Sequence, residues 1–332
     1  MKQEKVLFVV LNYNGWRETI TCLESLLQQT YEPYHILLID NGSADDSLNH
    51  LRVFENQSRI TFVKNPANDG FAGGVNIGIR YAIKHQYAYT SLINNDATLA
   101  PNWLSILIET IRQKNVDSAT GLLLDSTDEY IESTADSFSI WGMPFPNQRG
   151  EKAISANKSG YVFGGTAGAS VYKTSLFKDI GLFDVAFFAY FEDSDISFRS
   201  QISGHRAYYE KRAVAWHDHG TTSSKMPGFT VMQTFKNLPL LFWKNVPASL
   251  LPSMLPRFTV YYSAIYLRAA LRRQFLIASK GVLLSMYHLP RALRMRRDIQ
   301  KNRRVSIEYL RSIIYPAIPP NNTNTIRRFF RK

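Results

Sequence analysis

The chain has 332 residues, of which 45% are hydrophobic and 20% are charged, a composition that predicts a folded globular protein and excludes a chain disordered throughout. Its single cysteine, Cys22, excludes an intramolecular disulfide framework and a cysteine-based zinc cluster, and it favours a reducing compartment. The apolar run at residues 6–11 is shorter than the apolar core of a signal peptide or a spanning helix. We therefore expect a cytoplasmic protein.

Charge is distributed unevenly along the chain. Residues 1–224 hold 19 Lys and Arg against 25 Asp and Glu, a net charge of −6. Residues 225–332 hold 20 against 2, a net charge of +18. A basic tail on a mildly acidic body predicts an anionic partner for the tail, either a membrane surface or a nucleic acid. We divide the chain into these two regions.

The first region alternates between strand-like and helix-like segments. Helical spacing predicts helices over residues 16–29 and 73–85, and Pro101 is predicted to open a third helix. Four apolar segments that run into polar residues predict buried strands, at residues 6–14, 35–47, 60–70 and 91–99. This alternation predicts an α/β fold with a mostly parallel sheet flanked by helices, in which ligands bind beyond the carboxyl ends of the strands.

The pattern is weaker further along the chain. Residues 117–156 show no clear period, and their structure stays open. The segment at 160–173 has β character, the acidic FEDSD segment predicts the start of a helix, and residues 205–217 predict a last strand. Beyond Met226 the composition is helical. We expect these helices to be interrupted at five prolines: Pro239, Pro247, Pro252, Pro256 and Pro290.

Polar residues follow three of the predicted strands, and we expect them to form one site at one edge of the sheet. They are Asn12, Tyr13 and Asn14; Asp40, Asn41 and Ser43; and Asn94, Asn95 and Asp96. Asp96 offers an oxygen ligand for Mg²⁺ or Mn²⁺, or simply caps the next helix. Asp40 has the same two interpretations, because DNGSADDS also suits an Asx-type turn and a helix cap.

Two further groups carry chemistry. Glu192, Asp193 and Asp195 follow an aromatic run, and burial beside like charges would raise their pKa values as a general base requires. The alternative is an acidic first turn of a helix, with Asp195 and Arg199 as an i,i+4 pair. His217 either supplies an imidazole to a metal or is a surface residue at a strand end.

Taken in order, these segments resemble a family 2 glycosyltransferase of the GT-A fold, and in particular the bacterial rhamnosyltransferase-type members. The matching segments are VVLNYNG, LLIDNGSADDS, NPANDGFAGGVNIG, LINNDA, GGTAGASVYK, GLFDVAFFAYFEDSDISFR and AVAWHDHGTTSS. They cover roughly residues 5–224. The resemblance implies a GT-A nucleotide-sugar-binding catalytic domain over residues 1–224.

The resemblance also implies roles for individual residues. Tyr13 and Asp40 would bind the nucleotide base, and Asp96 would be the metal-binding end of a DXD motif that here begins with Asn94. Asp193 would be the general base, with Glu192 beside it, and His217 would complete the site of a divalent metal, Mn²⁺ or Mg²⁺. The full set that we assign to the donor is Asn12, Tyr13, Asn14, Asp40, Gly73, Asn76, Asn95 and Asp96.

The resemblance implies an inverting, metal-dependent transfer of a sugar, with L-rhamnose from dTDP-L-rhamnose as the best candidate. The acceptor would be a saccharide or a lipid-linked saccharide in bacterial surface polysaccharide synthesis. Three alternatives stay open: a UDP- or GDP-sugar as donor, a sugar-nucleotide-forming nucleotidyltransferase, and a non-catalytic scaffold that binds nucleotide sugars. Against the nucleotidyltransferase, this sequence has no Gly-rich, Lys- or Arg-bearing phosphate loop directly after the first strand.

The basic tail favours a membrane over a nucleic acid. Residues 257–304 contain twelve Lys and Arg and one acid, Asp298, interleaved with apolar stretches of about ten to fifteen residues. Such stretches are too short to span a bilayer but suit helices that lie on anionic lipid. No recognition motif for nucleic acid accompanies the charge, so we expect no nucleic-acid partner. We expect peripheral attachment at the inner face of the cell membrane, the alternative being ordinary helices packed on the catalytic domain.

Overall fold

The structure is a computed structural model that describes residues 4–217 and 226–320. Its strands are β1 (Val6–Asn12), β2 (Tyr34–Asn41), β3 (Ile60–Asn65), β4 (Tyr89–Asn94), β5 (Ala97–Leu99), β6 (Ser118–Asp125), β7 (Ile131–Ser133), β8 (Asp136–Phe138), β9 (Pro144–Pro146), β10 (Gly160–Val162), β11 (Ala169–Lys173) and β12 (Ala207–His217). Its helices are α1 (Trp16–Leu27), α2 (Ser47–Leu51), α3 (Gly70–Lys84), α4 (Trp103–Lys114), α5 (Thr174–Ile180), α6 (Glu192–Ile202), α7 (Phe229–Asn245), α8 (Leu251–Leu271), α9 (Phe275–Lys301) and α10 (Ile307–Ile313).

The central sheet has the order β10-β12-β6-β11-β4-β1-β2-β3. Strands β4, β1, β2 and β3 are parallel neighbours, whereas β11 pairs antiparallel with both β4 and β6. The predicted α/β fold with flanking helices is confirmed, and the sheet is mixed, with a second parallel pair formed by β6 and β12. The register pairs Asn12 with Asp40 and Leu11 with Asn94, which aligns the polar ends of three strands at one edge.

Strand β1 is apolar from Val6 to Leu11 because both faces of the sheet are covered. Val6, Phe8 and Val10 face the core that α1 and α4 cover. Leu7 and Val9 face the core under α3 and α5. This burial explains why the strand lacks the alternation of apolar and polar residues that a half-exposed strand shows.

Two predicted boundaries differ from the structure. The fourth predicted strand divides at Asn95 and Asp96 into β4 and β5, and β5 pairs with β12 instead of continuing along β1. Helix α4 begins at Trp103, so Pro101 lies before the helix, where its carbonyl accepts a hydrogen bond from the Thr30 N–H at 2.9 Å.

The C-terminal helices are longer than we predicted from the positions of their prolines. Pro239, Pro256 and Pro290 lie inside α7, α8 and α9, so the expected interruption at these three positions is wrong. Each proline removes one backbone hydrogen bond, which packing of the helix can offset. In agreement, α7 is largely buried: Leu238, Leu241 and Phe242 share a core with Phe138 and Phe198 of β8 and α6.

Candidate active site

The ends of β1 and β2 are held together by side-chain hydrogen bonds. The Asn12 amide donates to Asp40 Oδ1 at 2.8 Å, and Asp40 Oδ2 accepts from the Ser43 N–H at 3.1 Å. Asn12 and Asp40 are both buried. Asn14, which has a φ of 52°, accepts through Oδ1 from the Ala44 N–H at 2.8 Å. These residues therefore shape the loop after β2, as the Asx-turn interpretation of Asp40 predicts.

A carboxylate and an imidazole meet where β4 ends. Because β5 pairs with β12 and places His217 opposite Ala97, His217 Nε2 lies 2.9 Å from Asp96 Oδ1 and 3.3 Å from the Asn94 amide nitrogen. Burial lowers the pKa of His217, but the hydrogen bond and charge of Asp96 and the charge of Glu132 outweigh it, so the pKa lies above its usual value. The carboxylate of Asp96 therefore favours positive charge at this position.

The Asp96 and His217 pair fits a divalent cation as two of its ligands. Two ligand atoms at adjacent octahedral positions, each about 2.1 Å from the ion, lie about 3 Å apart, which is close to the observed 2.9 Å. Within the described residues no cluster of three His, Cys, Asp or Glu side chains could hold a metal. Ions such as Mg²⁺ commonly take one or two protein ligands and complete their shell with substrate phosphates and water. Asp218 and His219 lie outside the described residues.

The segment before α6 has a strained backbone that α7 holds in place. Phe188, Tyr190 and Phe191 have φ values of 64°, 70° and 70°, a conformation that costs on the order of 1–3 kcal/mol for each non-glycine residue. The Asn237 side-chain amide of α7 donates to the carbonyls of residues 187, 189 and 190 at 2.9, 2.8 and 2.8 Å. Lys236 Nζ donates to the first of these carbonyls at 3.0 Å. Helix α7 thereby fixes where the acidic segment begins.

Two carboxyl groups at the start of α6 have raised pKa values. Burial raises the pKa of Asp193, although hydrogen bonds from the Ser194 N–H and hydroxyl, at 2.6 and 3.3 Å, act in the opposite direction. Burial and the charge of Asp193 raise the pKa of Glu192 well above its usual value. Glu192 Oε2 is buried with no hydrogen-bond partner among the described residues. Burial also lowers the pKa of Lys236, to about 8.

Asp195 has a different environment from its two neighbours. It is fully buried and accepts hydrogen bonds from Arg199 Nε, Lys244 Nζ and the Asn245 amide, each at 2.9 Å. Burial alone would raise the pKa of Asp195, but the charges of Lys244 and Arg199 hold it below its usual value. The predicted i,i+4 pair with Arg199 is present, and Asp195 serves to join α6 to α7.

One cavity of about 410 Å³ brings most of these groups together. Six predicted site residues line it: Tyr13, Asn95, Asp96, Glu192, Asp193 and His217. The other five, Asn12, Asn14, Asp40, Gly73 and Asn76, are not among the described residues that line it. Asn76 uses both ends of its amide on the backbone of Phe183, at 2.8 and 3.0 Å. A Cβ on Gly73 would lie 2.5 Å from Asp69 Cβ, so this position needs glycine for packing.

The sequence patterns did not predict three further charged residues that line the cavity. Glu132, Asp136 and Arg149 line it, and all three come from the stretch whose structure stayed open. Arg149 forms an ion pair with Glu132, and burial together with the charge of Asp193 raises the pKa of Asp136 well above its usual value. Strands β7, β8 and β9 have three residues each, too few to show a period. The acidic residues themselves were the one available signal.

The amino-acid sequence of this chain is similar to those of known glycosyltransferases. Residues 7–181 match the model of glycosyl transferase family 2, and the chain belongs to this family. It is 22% identical over 324 residues to an uncharacterized glycosyltransferase of Haemophilus influenzae, a match that covers 93% of this chain and 97% of that protein. It is 29% identical over 119 residues to glycosyltransferase GlyG of Streptococcus pneumoniae, a match that covers 36% of this chain and 38% of GlyG.

A solved structure shares the architecture. The mannosyltransferase PcManGT from Pyrobaculum calidifontis, in complex with GDP-Man and Mn²⁺, superposes with a TM-score of 0.55 at 14% identity, over 91% of this chain and 86% of that one. The predicted GT-A fold is therefore confirmed. The family match and the similar glycosyltransferases confirm the predicted enzyme class, a glycosyltransferase. The nucleotidyltransferase alternative is thereby set aside.

Proposed function

We propose that this chain is an inverting, metal-dependent transferase that moves a sugar from a nucleotide diphosphate donor to a saccharide or lipid-linked saccharide. The observation that carries the proposal is that one cavity holds both the Asp96 and His217 pair and the half-buried carboxyl group of Asp193. Inverting transfer requires those two functions at one place: a base for the attacking hydroxyl and positive charge for the departing diphosphate.

Asp193 is the general base in this proposal. It accepts the proton of the acceptor hydroxyl as that oxygen attacks the anomeric carbon and the bond from that carbon to the diphosphate oxygen breaks. A raised pKa suits a base that works near neutral pH, and the hydrogen bonds from Ser194 orient its carboxylate. Glu192 lies beside it and shapes the pocket. Its raised pKa favours the neutral form, which limits charge repulsion with Asp193.

Asp96 and His217 would hold the metal, Mn²⁺ or Mg²⁺. When bound, the ion neutralises the negative charge that develops on the departing diphosphate. The chain's own contribution is to place the two ligand atoms 2.9 Å apart on neighbouring strands before the donor arrives. Asn94, the first residue of the degenerate DXD motif, has its amide nitrogen 3.3 Å from His217 Nε2 and so lies beside this proposed ligand atom.

The donor would lie along the ends of β1, β2 and β4. Tyr13 lines the cavity and would contact the base, and Asn95 is fixed there by donating to Thr19 Oγ1 at 3.0 Å. The family resemblance implies that Asp40 accepts from a ring N–H of thymine or uracil. In the structure Asp40 is buried, is not among the residues that line the cavity, and accepts one hydrogen bond on each oxygen. Asn12 and Asn14 would support this loop, and Gly73 and Asn76 would position α3 behind the donor.

The resemblance to rhamnosyltransferase-type members favours dTDP-L-rhamnose as donor and bacterial surface polysaccharide synthesis as the process. PcManGT was solved with GDP-Man, so a GDP-sugar, like a UDP-sugar, is the alternative. A non-catalytic scaffold is the second candidate, because the DXD position begins with Asn94. The paired carboxyl groups of Glu192, which is buried, and Asp193, which is half-buried, favour catalysis, since a binding protein has no need of raised carboxyl pKa values.

We further propose that residues 1–224 form the catalytic domain and that the basic helical region, residues 225–332, attaches the enzyme peripherally to the inner face of the membrane. No helix among the described residues is long and apolar enough to cross a bilayer. A lipid-linked acceptor would be reached from such a position.

A thermal-shift panel tests the donor. We expect dTDP-L-rhamnose to raise the unfolding temperature in the presence of Mn²⁺ and to raise it less in EDTA, because a ligand that binds the folded state stabilises it according to its affinity. UDP- and GDP-sugars in the same panel serve as comparisons. A larger shift with one of them would replace rhamnose by that sugar class. No shift with any donor would favour the scaffold or a site that requires the acceptor.

Metal ligation is tested by titrating Mn²⁺ against the variants Asp96→Ala and His217→Ala. We expect each to raise the Mn²⁺ concentration for half-maximal transfer by about tenfold or more, the loss typical when a metal site is impaired. Asp46→Ala and His50→Ala provide a matched control, since this exposed Asp and His pair has a 3.2 Å separation. If both cavity variants kept full activity at limiting Mn²⁺, the metal site would lie elsewhere.

A further inference from the structure

The end of the α8 and α9 hairpin exposes an unusual concentration of large apolar side chains. We define this hairpin tip by eight residues, each exposing between 48% and 79% of its surface: Val260, Leu267, Leu271, Phe275, Leu276, Leu283, Met286 and Tyr287. In the remaining described residues, large apolar side chains with such exposure occur singly, as at Val53 and Ile154. Scattered exposed residues need no explanation, but a contiguous apolar patch indicates an interaction surface.

The spacing of these residues follows the helices. On α8, Leu267 and Leu271 are four residues apart, and on α9, Leu276 and Leu283 are seven apart with Tyr287 four further on. Each series therefore lies on one face of its helix. The opposite faces are buried within the protein: they carry Phe258, Tyr261 and Ala269 on α8, and Ala278, Gly281 and Ser285 on α9. The apolar residues thus point away from the body on both sides of the turn.

The charge around the hairpin tip identifies the kind of partner. Arg272 and Arg273 form the turn, Arg268 lies one helical turn before it, and Lys280 lies shortly after it. Residues 225–297 contain no Asp or Glu. An apolar face framed only by cations is complementary to an anionic lipid surface, where leucines enter the acyl boundary and arginines meet phosphates. A second copy would bring arginines against arginines, and a nucleic acid would leave the leucines exposed to water.

We propose that the hairpin tip inserts into the interfacial layer of an anionic bilayer and sets the orientation of the active site, an inference that rests on the proposed function for its biological purpose. The hairpin is fixed to α7 at two places. Tyr262 donates to the Phe235 carbonyl at 2.8 Å, and a Cβ on Gly281 would lie 2.4 Å from the Met232 carbonyl oxygen. Because Asn237 of α7 holds the segment before Asp193, the lipid surface and the base are joined through one helix.

Vesicle sedimentation with the full chain tests the proposal. We expect binding to vesicles of phosphatidylcholine with about one quarter phosphatidylglycerol, and little binding to phosphatidylcholine alone. Combining Leu271→Asn, Leu276→Asn and Leu283→Asn should lower the partition coefficient by about tenfold or more. Val53→Asn, Ile154→Asn and Val185→Asn together are the matched control, because these exposed residues lie outside the hairpin. Arg272→Gln with Arg273→Gln should lower partition by about 25-fold at low salt.

A spectroscopic measurement makes the result independent of any loss of folding. Cys22 is the single cysteine and is buried, so Leu276→Cys introduces one reactive site for an environment-sensitive dye. We expect a blue shift and a rise in fluorescence when anionic vesicles are added. The same dye on Ile154→Cys, at a position that is 91% exposed, should not respond.

Several results would overturn the proposal. They are wild-type protein that stays unbound with anionic vesicles, a triple asparagine variant that binds as well as wild type, or a dimer in solution that the same variant disperses. Donor-induced thermal shifts without vesicles, measured on the same proteins, separate this proposal from the proposed function. Donor binding without vesicle binding would refute the proposal for the hairpin tip and leave the proposed function standing. Vesicle binding without donor binding would support the proposal for the hairpin tip and count against the proposed transferase site.

Discussion

The variant Asp193→Asn is expected to lower the turnover number by about 10²–10⁴-fold while donor affinity stays near that of the wild type. That range is the typical contribution of a positioned general base. Asparagine keeps the size of the side chain and its place at the start of α6, but it cannot take the proton of the acceptor hydroxyl. The measurements are turnover with excess donor and acceptor, and donor affinity by thermal shift with Mn²⁺ present.

Asp136→Asn is the matched control for this variant. Asp136 lines the same cavity, and burial with the charge of Asp193 raises its pKa and favours its neutral form, which asparagine imitates. We expect turnover within about tenfold of the wild type, because asparagine keeps the size of the side chain and Asp136 has no part in the proposed proton transfer. If Asp193→Asn kept turnover in that same range, Asp193 would not be the base. If donor affinity fell in parallel, its role would be in binding.

The strand ends could be predicted from the sequence because burial on both faces leaves a clear signal. Residues 6–11 and 36–39 are all apolar, the chain becomes polar at Asn12 and Asp40, and the parallel register aligns those two residues. The acidic start of α6 was likewise visible as FEDSD. Local composition was sufficient for these elements, since each is defined by residues that are close together in the chain.

Three features needed contacts that local patterns do not contain. Strand β4 ends before Asn95 and Asp96 because the next residues, β5, pair with β12, which is more than a hundred residues away in the chain. The wall formed by Glu132 and Asp136 comes from strands too short to show a period. Asp195 looked equivalent to Asp193, yet its partner Lys244 lies 49 residues along the chain. Identical residue types therefore acquired different chemistry from their tertiary partners.

The second large effect is expected for Lys244→Met, which should lower the free energy of unfolding by about 3 kcal/mol. Lys244 Nζ is fully buried, 2.8 Å from Asp184 and 2.9 Å from Asp195. Removing one member of a buried ion pair leaves charge without compensation, at a cost of about 3–5 kcal/mol. We expect a cost at the lower end of this range because Arg199 and Arg291 still contact the two carboxylates. Urea unfolding at pH 7 measures the difference.

The pH dependence of this deficit follows from the pKa of the two carboxyl groups. In the wild type, burial is outweighed by Lys244, which holds the pKa of Asp184 at about 2 and that of Asp195 below its usual value. Their contribution is thus present above their unfolded pKa, near 3.8, and is lost as the pH falls toward 2. Without Lys244, burial raises both pKa values, so the folded variant binds protons at higher pH than the unfolded chain. We expect the gap between wild type and variant to be widest near pH 7 and to narrow by pH 4.5.

Arg304→Gln shows what a loss of charge alone does in the same region. Arg304 pairs with Asp179 at 2.6 Å, but the arginine side chain is 57% exposed, so its removal should leave the urea midpoint close to that of the wild type. A Lys244→Met variant that unfolded as late in urea as Arg304→Gln would mean that Asp184 and Asp195 find other compensation. A large deficit for Lys244→Met would instead show that α7 is a structural part of the catalytic body. It would then follow that the acidic segment, which α7 holds through Asn237, depends for its position on a helix from the basic half of the chain.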